Sequence, residues 1–164
     1  MKTLHLTVTN LCDRACPHCC NKQYDIPNLQ YVSDEDFREC DLLCLTGGEP
    51  FVYANPCNLA RYYKNKYPHL RAVIVYTNAY ELQQYILGGG TIHDIDGVNV
   101  SIKDNRDAAA FEFLRKYPFI KNLPMNRVYS FLHTPIDDKN YQYIDRVWQE
   151  NFVPAENCLF RRGN

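Results

Sequence analysis

No apolar run in this 164-residue chain approaches the roughly 20 residues that a membrane-crossing helix needs. The opening stretch, Met1 to Asn10, holds a lysine but too much Thr, His and Asn to be the apolar centre of a secretion signal, so the expected location is cytoplasmic. Strong net charge is also missing. At −1 overall, with a pI near 6.5, the chain has no global basic field to draw it to nucleic acid or anionic lipid. Repeats, low-complexity tracts and long linkers are absent, which predicts one domain over residues 1–164. Gly88-Gly89-Gly90 lacks the G-x-G-x-x-G spacing and follows a helical pattern rather than opening one. It reads as a helix C-cap and loop, not a phosphate cradle.

Eight cysteines are present, and their clustering speaks against a disulfide framework. Residues Cys12 to Cys20 read C-D-R-A-C-P-H-C-C, so Cys12, Cys16 and Cys19 have the spacing C-x3-C-x2-C. Soft thiolates select zinc, copper(I) or iron–sulfur clusters over hard cations. A four-iron cluster held by three cysteines keeps one iron open to a ligand, as catalytic metal sites do. A structural zinc knot with Cys20 or His18 as fourth ligand has the same spacing. Zinc sites usually pair two half-sites, however, and no second one follows: Cys40 and Cys44 flank a strand, and Cys57 and Cys158 stand alone.

Short β-rich runs alternate with segments of helical period, the pattern of βα units on a parallel sheet. Strands are predicted at 3–9, 41–46, 71–76, 97–102 and 126–132, with a sixth at 158–160. Ser33 followed by Asp34, Glu35 and Asp36 predicts a helix N-cap. Asn55-Pro56 opens a second helix whose face is expected to carry Leu59, Tyr62, Tyr63 and Tyr67. Further helices are predicted from Tyr80 to Leu87, from Arg106 with Phe111, Leu114 and Tyr117 on one side, and from Asp137-Asp138 with Tyr141, Ile144 and Trp148 at helical spacing. A full (β/α)8 barrel takes roughly 250 residues. The expected fold is therefore an α/β, partial and laterally open (β/α)5-6 barrel with mostly parallel strands, its ligands at the carboxyl ends of the strands.

The C-x3-C-x2-C loop follows the first strand, and Gly47-Gly48-Glu49-Pro50 ends the second. In this order, the two motifs resemble those of the radical S-adenosylmethionine (radical SAM) enzymes. The resemblance implies that Cys12, Cys16 and Cys19 hold a [4Fe-4S] cluster whose fourth iron binds SAM. It implies that one electron from the cluster cleaves SAM to a 5′-deoxyadenosyl radical. In the family, the G-G-E-P segment receives the SAM amino group, which assigns Gly47, Gly48 and Glu49 to cofactor binding; a plain strand-ending turn is the other reading. His18 stands where the family often has an aromatic residue near the adenine, or it is a solvent-facing histidine. Thr77-Asn78 resembles the family's T-N at the end of the third strand, with Ala79 in place of the usual glycine; an Asx turn also accounts for Asn78.

Ser101 and Lys103 share one side of a strand and occupy the place where activating enzymes touch the SAM ribose and carboxylate. A Lys103–Asp104 surface pair is the alternative. His133 is a candidate for lining the SAM or substrate cavity. Arg127 is expected either to pair with Glu49 or to bind a carboxylate, or to be a solvated strand end. Arg161-Arg162 reads as a charge pair or a partner contact.

By size and plainness the chain is most similar to the organic radical-activating group, the glycyl-radical enzyme activases and the carboxy-deazaguanine synthases. The implied function is hydrogen abstraction from a partner protein by the adenosyl radical, with electrons from a flavodoxin- or ferredoxin-like reductant. Two other readings stay open. One is the same chemistry on a small molecule such as a nucleoside precursor; the other is a zinc-stabilised binding module without catalysis.

Overall fold

A computed structural model describes residues 2–9, 11, 28–133, 135–145 and 157–163. Seven strands form one sheet in the order β6-β5-β4-β3-β2-β1-β7. They are β1 (Thr3–Thr9), β2 (Leu42–Gly47), β3 (Ala72–Asn78), β4 (Gly97–Ile102), β5 (Arg127–Ser130), β6 (Gln142–Asp145) and β7 (Cys158–Arg162). Every pairing is parallel, and among the described residues β6 and β7 are the outermost strands, with Tyr31 bridging to Arg162 on β7. The helices between them are α1 (Asp34–Arg38), α2 (Pro50–Tyr53), α3 (Pro56–Lys66), α4 (Ala79–Leu87), α5 (Asn105–Leu114) and α6 (Pro118–Lys121). Among the described residues, no helix is long and apolar enough to cross a membrane.

Alternate residues of the strands meet two different environments, because successive side chains point to opposite faces. Leu4, Leu6, Leu43, Leu45, Val73, Val75, Val98, Val100, Ile102 and Val128 share one buried cluster with Phe37, Phe51, Ala60, Leu82, Phe111, Leu114 and Ile120 from the helices. Burying each such side chain stabilises the fold by roughly 1.5–3 kcal/mol. The opposite face holds a small cluster of Leu42, Cys44, Ala72 and Ile74, bordered by Tyr76 and Met125. This face curls inward. The rings of His5 on β1 and Tyr76 on β3 lie 5.8 Å apart, and those of Tyr76 and Tyr129 on β5 lie 6.2 Å apart. Each pair spans an intervening strand, which on a flat sheet would separate them by about 9.6 Å.

Local chemistry explains most element ends. Ser33 and Asp36 form a reciprocal capping box at α1, and Asn55 caps α3 through the Asn58 amide. The Gly90 and Gly89 amides donate to the Tyr85 and Ile86 carbonyls beyond α4. This is a Schellman closure, with Gly89 at φ 91°. The buried face of α3 carries Cys57 and Ala60, and Tyr63 and Tyr67 stack on Phe37. Tyr62 turns outward, at 55% exposure, so the expected face of that helix is rotated by part of a turn.

The segment after Asp137-Asp138 departs from expectation: Gln142–Asp145 is a strand paired with β5, not a helix. Asp138 accepts from the Asn140 amide in a turn and pairs with Arg115 instead of capping a helix. Tyr141 is buried edge-on against Phe111 and donates to the Leu114 carbonyl. That contact satisfies the aromatic spacing that had suggested helix. Trp148 lies outside the described residues. Tyr117 sits past α5 as the N-cap residue of α6. Residue Asn126 precedes β5, where its side chain bridges the Val98 amide and the Ile120 carbonyl.

Candidate functional site

The second strand ends in a backbone that only glycine adopts without strain. Gly47 has φ 131°, and a Cβ there would stand 1.9 Å from the Thr9 carbonyl oxygen. The close approach lets the G-G-E amides grip the chain that leaves β1. Gly48 N–H donates to the Thr9 carbonyl at 2.7 Å, and Glu49 N–H donates to the Leu11 carbonyl at 2.9 Å. Leu11 N–H in turn donates to the Thr9 hydroxyl at 3.1 Å. The residue after Leu11 is Cys12, so the G-G-E turn holds the stem of the cysteine loop. Cys12, Cys16, His18, Cys19 and Cys20 themselves lie outside the described residues.

Glu49 is wholly buried and turned toward the helix-bearing side. Its carboxylate accepts from the Phe51 amide at 3.1 Å, the Asn78 amide at 2.8 Å and the Thr77 hydroxyl at 3.0 Å. It therefore caps α2 and laces the end of β2 to the end of β3. Burial raises its pKa to about 7, against the pull of these donors, and Glu81 adds to the rise. Pro50 then opens α2, a one-turn helix that the motif had concealed.

Thr77 and Asn78 are the last residues of β3. Thr77 serves Glu49, while Asn78 makes no side-chain cap bond to α4, so the Asx-turn reading does not hold. Asn78, Ser101 and Tyr129 are in register across β3, β4 and β5, which sets Asn78 and Ser101 on the inward-curled face at the carboxyl edge. Lys103 follows β4 by one residue. Its amide donates to Asp107, and its ammonium lies 6.0 Å from the Phe131 ring, leaning over the end of β5. Asp107 also accepts from the Tyr80 amide at 3.0 Å, and its own amide is capped by Asp104 at 2.8 Å. This fully buried carboxylate fixes the starts of α4 and α5 and so the strand ends before them; the sequence reading had not singled it out.

His133 adopts φ 56° just past β5, and its Nδ1 lies 2.8 Å from Asp145 at the end of β6. Tyr143 donates to the same Asp145 oxygen at 3.3 Å. Because an ionised carboxylate only accepts, Nδ1–H is the donor, leaving Nε2 for another partner. The pair is half exposed and belongs to the β5–β6 edge, apart from the Gly47–Glu49–Thr77 lacing.

Arg127 does not pair with Glu49. Arg127 opens β5 in register with Asn99 and faces the inward-curled side, whereas the Glu49 carboxylate lies beneath the helices. Its neighbours are Tyr129, Tyr76 and Cys44. Arg161 binds Asp36 at 3.2 Å, and the Arg162 guanidinium lies 4.0 Å from the centre of the Tyr31 ring, so the two arginines tie β7 to the segment before and within α1.

Among the described residues, no three His, Cys, Asp or Glu side chains are grouped to hold a metal. Burial raises Cys40 to about 11 and Cys44 to about 12, so both are protonated thiols in the core. The C-x3-C-x2-C spacing belongs to the cysteines of the loop whose stem Gly48 and Glu49 hold. Comparison with known proteins returns no match to a protein-family model, to a curated protein or to a solved structure.

Proposed function

We propose that this chain is a radical SAM enzyme whose sheet is a partial, laterally open (β/α) barrel of five to six units, working in the cytoplasm. One observation carries the reading: the G-G-E turn and the stem of the C-x3-C-x2-C loop are hydrogen-bonded to each other at 2.7 and 2.9 Å. Leu11, the residue before the first cysteine, thus lies with the G-G-E turn at one end of the sheet.

The residues fit the cofactors. Cys12, Cys16 and Cys19 offer three soft thiolates for a [4Fe-4S] cluster. Backbone groups of Gly47 and Gly48 border the stem, with Glu49 acting as a buried strut that fixes the turn rather than as an exposed ligand. Asn78 and Ser101 present neutral polar groups on the inward face, and Lys103 supplies an ammonium for a carboxylate or ribose. His18 is assigned to the adenine and His133 to the edge of the cavity. Held there, the cluster would supply the electron for reductive cleavage of S-adenosylmethionine, and the 5′-deoxyadenosyl radical so formed would abstract hydrogen. The electron comes from a flavodoxin- or ferredoxin-like partner.

Two acceptors of that radical are chemically reasonable. A partner polypeptide, as for glycyl-radical activases, would cover the open edge of the barrel. A small molecule is favoured by a specific feature, the arginine on the inward face that no described carboxylate neutralises.

Anaerobic reconstitution tests the proposal. The expected result is a brown protein with about four irons per chain. Its reduced spectrum should change on adding S-adenosylmethionine, and dithionite should drive formation of 5′-deoxyadenosine. Alanine at Cys12, Cys16 or Cys19 should abolish that product. A colourless protein holding one zinc would replace this reading with the binding module.

A further inference from the structure

The row of residues across the middle of the inward face holds a charge without a countercharge. Tyr76, Asn99 and Arg127 are in register on β3, β4 and β5. The Arg127 guanidinium is half-buried, and among the described residues the groups that act on it are the Tyr129 and Tyr76 phenols and Cys44, with no Asp or Glu beside it. The Tyr76 ring stacks at 6.2 Å on that of Tyr129, two residues along β5 from Arg127, so the row and its neighbour form one group. Around it stand aromatic groups: His5 stacks on Phe160 at 4.4 Å and tilts against Tyr76 at 5.8 Å. Asn99 is 1% exposed, and among the described residues its Oδ1 has no hydrogen-bond partner.

Each of these features runs against ordinary core construction. Half-buried charges are normally paired, since desolvation without a partner is costly. An amide oxygen buried without a donor is likewise uncommon. A parallel strand between helix-covered neighbours is usually apolar on both sides, yet here the face away from the helices is polar and aromatic. Such convergence of a few polar groups within an aromatic concavity is the usual form of a small-molecule site.

We propose that the inward face carries a binding site for a planar organic monocarboxylate, with Arg127 as the anchor of the carboxylate and His5, Tyr76, Tyr129 and Phe160 as the aromatic wall. One guanidinium in neutral surroundings matches one negative charge. The burial that depresses His5 to about 4 keeps its imidazole neutral, so it adds no second cation for a dianion such as phosphate. The planar fork of Arg127 can address both carboxylate oxygens. The site lies below Asn78 and Ser101 on the same face, one step along the strands from the carboxyl edge. Identifying its occupant as the substrate rests on the radical SAM reading; the binding site itself does not.

The test uses the full chain, prepared anaerobically, titrated with benzoate and read by nuclear magnetic resonance of the protein amides. Acetate, benzamide and inorganic phosphate serve as comparators. Benzoate should bind more tightly than each of them, with shifts centred on β3, β4 and β5. Arg127→Met should weaken benzoate at least tenfold, while Lys116→Met, which removes an exposed charge elsewhere, should not. If Arg127→Met fails to fold, Asn99→Asp places a carboxylate in the same row and should abolish benzoate binding in a folded protein. Equal binding of benzamide and benzoate, tighter binding of phosphate, or benzoate affinity that is indifferent to both substitutions would overturn the site. Arg127-dependent benzoate binding in a protein that never cleaves S-adenosylmethionine would uphold the site and sink the radical reading. Cleavage of S-adenosylmethionine without Arg127-dependent binding would do the reverse.

Discussion

Beneath the helices, Leu6, Leu45, Val75 and Val100 are entirely buried among apolar side chains, and both oxygens of the buried Glu49 carboxylate accept from donors there. On the opposite face, strands of the same sheet present His5, Tyr76, Asn99 and Arg127, with an orphan amide oxygen and a cation that no described acid neutralises. The first face is built as a core of close-packed apolar side chains. The second gathers polar groups, among them a buried amide oxygen with no partner among the described residues. The difference separates the part of the molecule that holds the fold from the part available for chemistry, and the two meet only at the strand ends, where Thr77 faces the helices and Asn78 faces the opening.

That division is most exposed to a truncation on the helix side. Phe111 is 1% exposed and packs edge-on against Tyr141. Phe111→Ala should cost about 3–5 kcal/mol, measured by urea unfolding, and should also loosen β6 through the lost contact with Tyr141. A cost below about 1 kcal/mol would mean that the helix face is not the stabilising one.

Acidity sharpens the contrast, because each face buries one group whose pKa moves opposite to the other's. Glu49 rises from 4.5 to about 7. Its contribution to stability is complete below pH 4.5 and is lost as pH rises through 7. His5 falls from 6.5 to about 4. Its contribution is complete above pH 6.5 and is lost as pH falls through 4. Between roughly pH 4.5 and 6.5 the two slopes oppose each other and nearly cancel. Glu49→Gln should therefore unmask a loss of stability on acidification, and His5→Phe a gain, each up to about 3 kcal/mol across the window. Urea denaturation at several pH values would read both. Parallel profiles for the two variants would refute the assignment of the groups to separate environments.

Much of the helix side was readable in the residues themselves. Val73, Val75, Val98 and Val100 lie in short apolar runs that announce buried parallel strands, and Ser33, Asn55 and the triple glycine mark helix ends by side-chain chemistry that acts over three or four residues. What escaped was whatever depends on distant partners. Tyr141 and Ile144 are spaced like a helical stripe, yet Tyr141 is held by Phe111 and the Leu114 carbonyl, and the chain beyond it pairs with β5. Pairing with Glu49 was one reading open to Arg127; the pleat of β5 turns Arg127 to one face, while Glu49, capping α2, lies under the other. His5, Tyr76, Asn99 and Arg127 come from four strands and converge only when the sheet curls, so no local pattern announces them. At the strand ends, G-G-E-P, T-N and Ser101 were legible as motif residues, whereas the buried Asp107 that fixes the helix starts left no motif to read.

The smallest effects discriminate best between the faces, since two hydroxyls of similar burial serve different ends. Thr77 is 5% exposed and donates to Glu49, whereas Tyr129 is 6% exposed and stands between Arg127 and Tyr76. Removing the first hydroxyl as Thr77→Val leaves a buried carboxyl short of a donor and should cost about 1–3 kcal/mol. Removing the second as Tyr129→Phe takes a phenol from beside a guanidinium that solvent still reaches, and should cost less than about 1 kcal/mol. Benzoate binding should respond in the opposite order, nearly untouched by Thr77→Val and several-fold weaker in Tyr129→Phe, because the phenol stands beside Arg127. If Thr77→Val weakened the anion and Tyr129→Phe destabilised the fold, the roles given to the two faces would have to be exchanged.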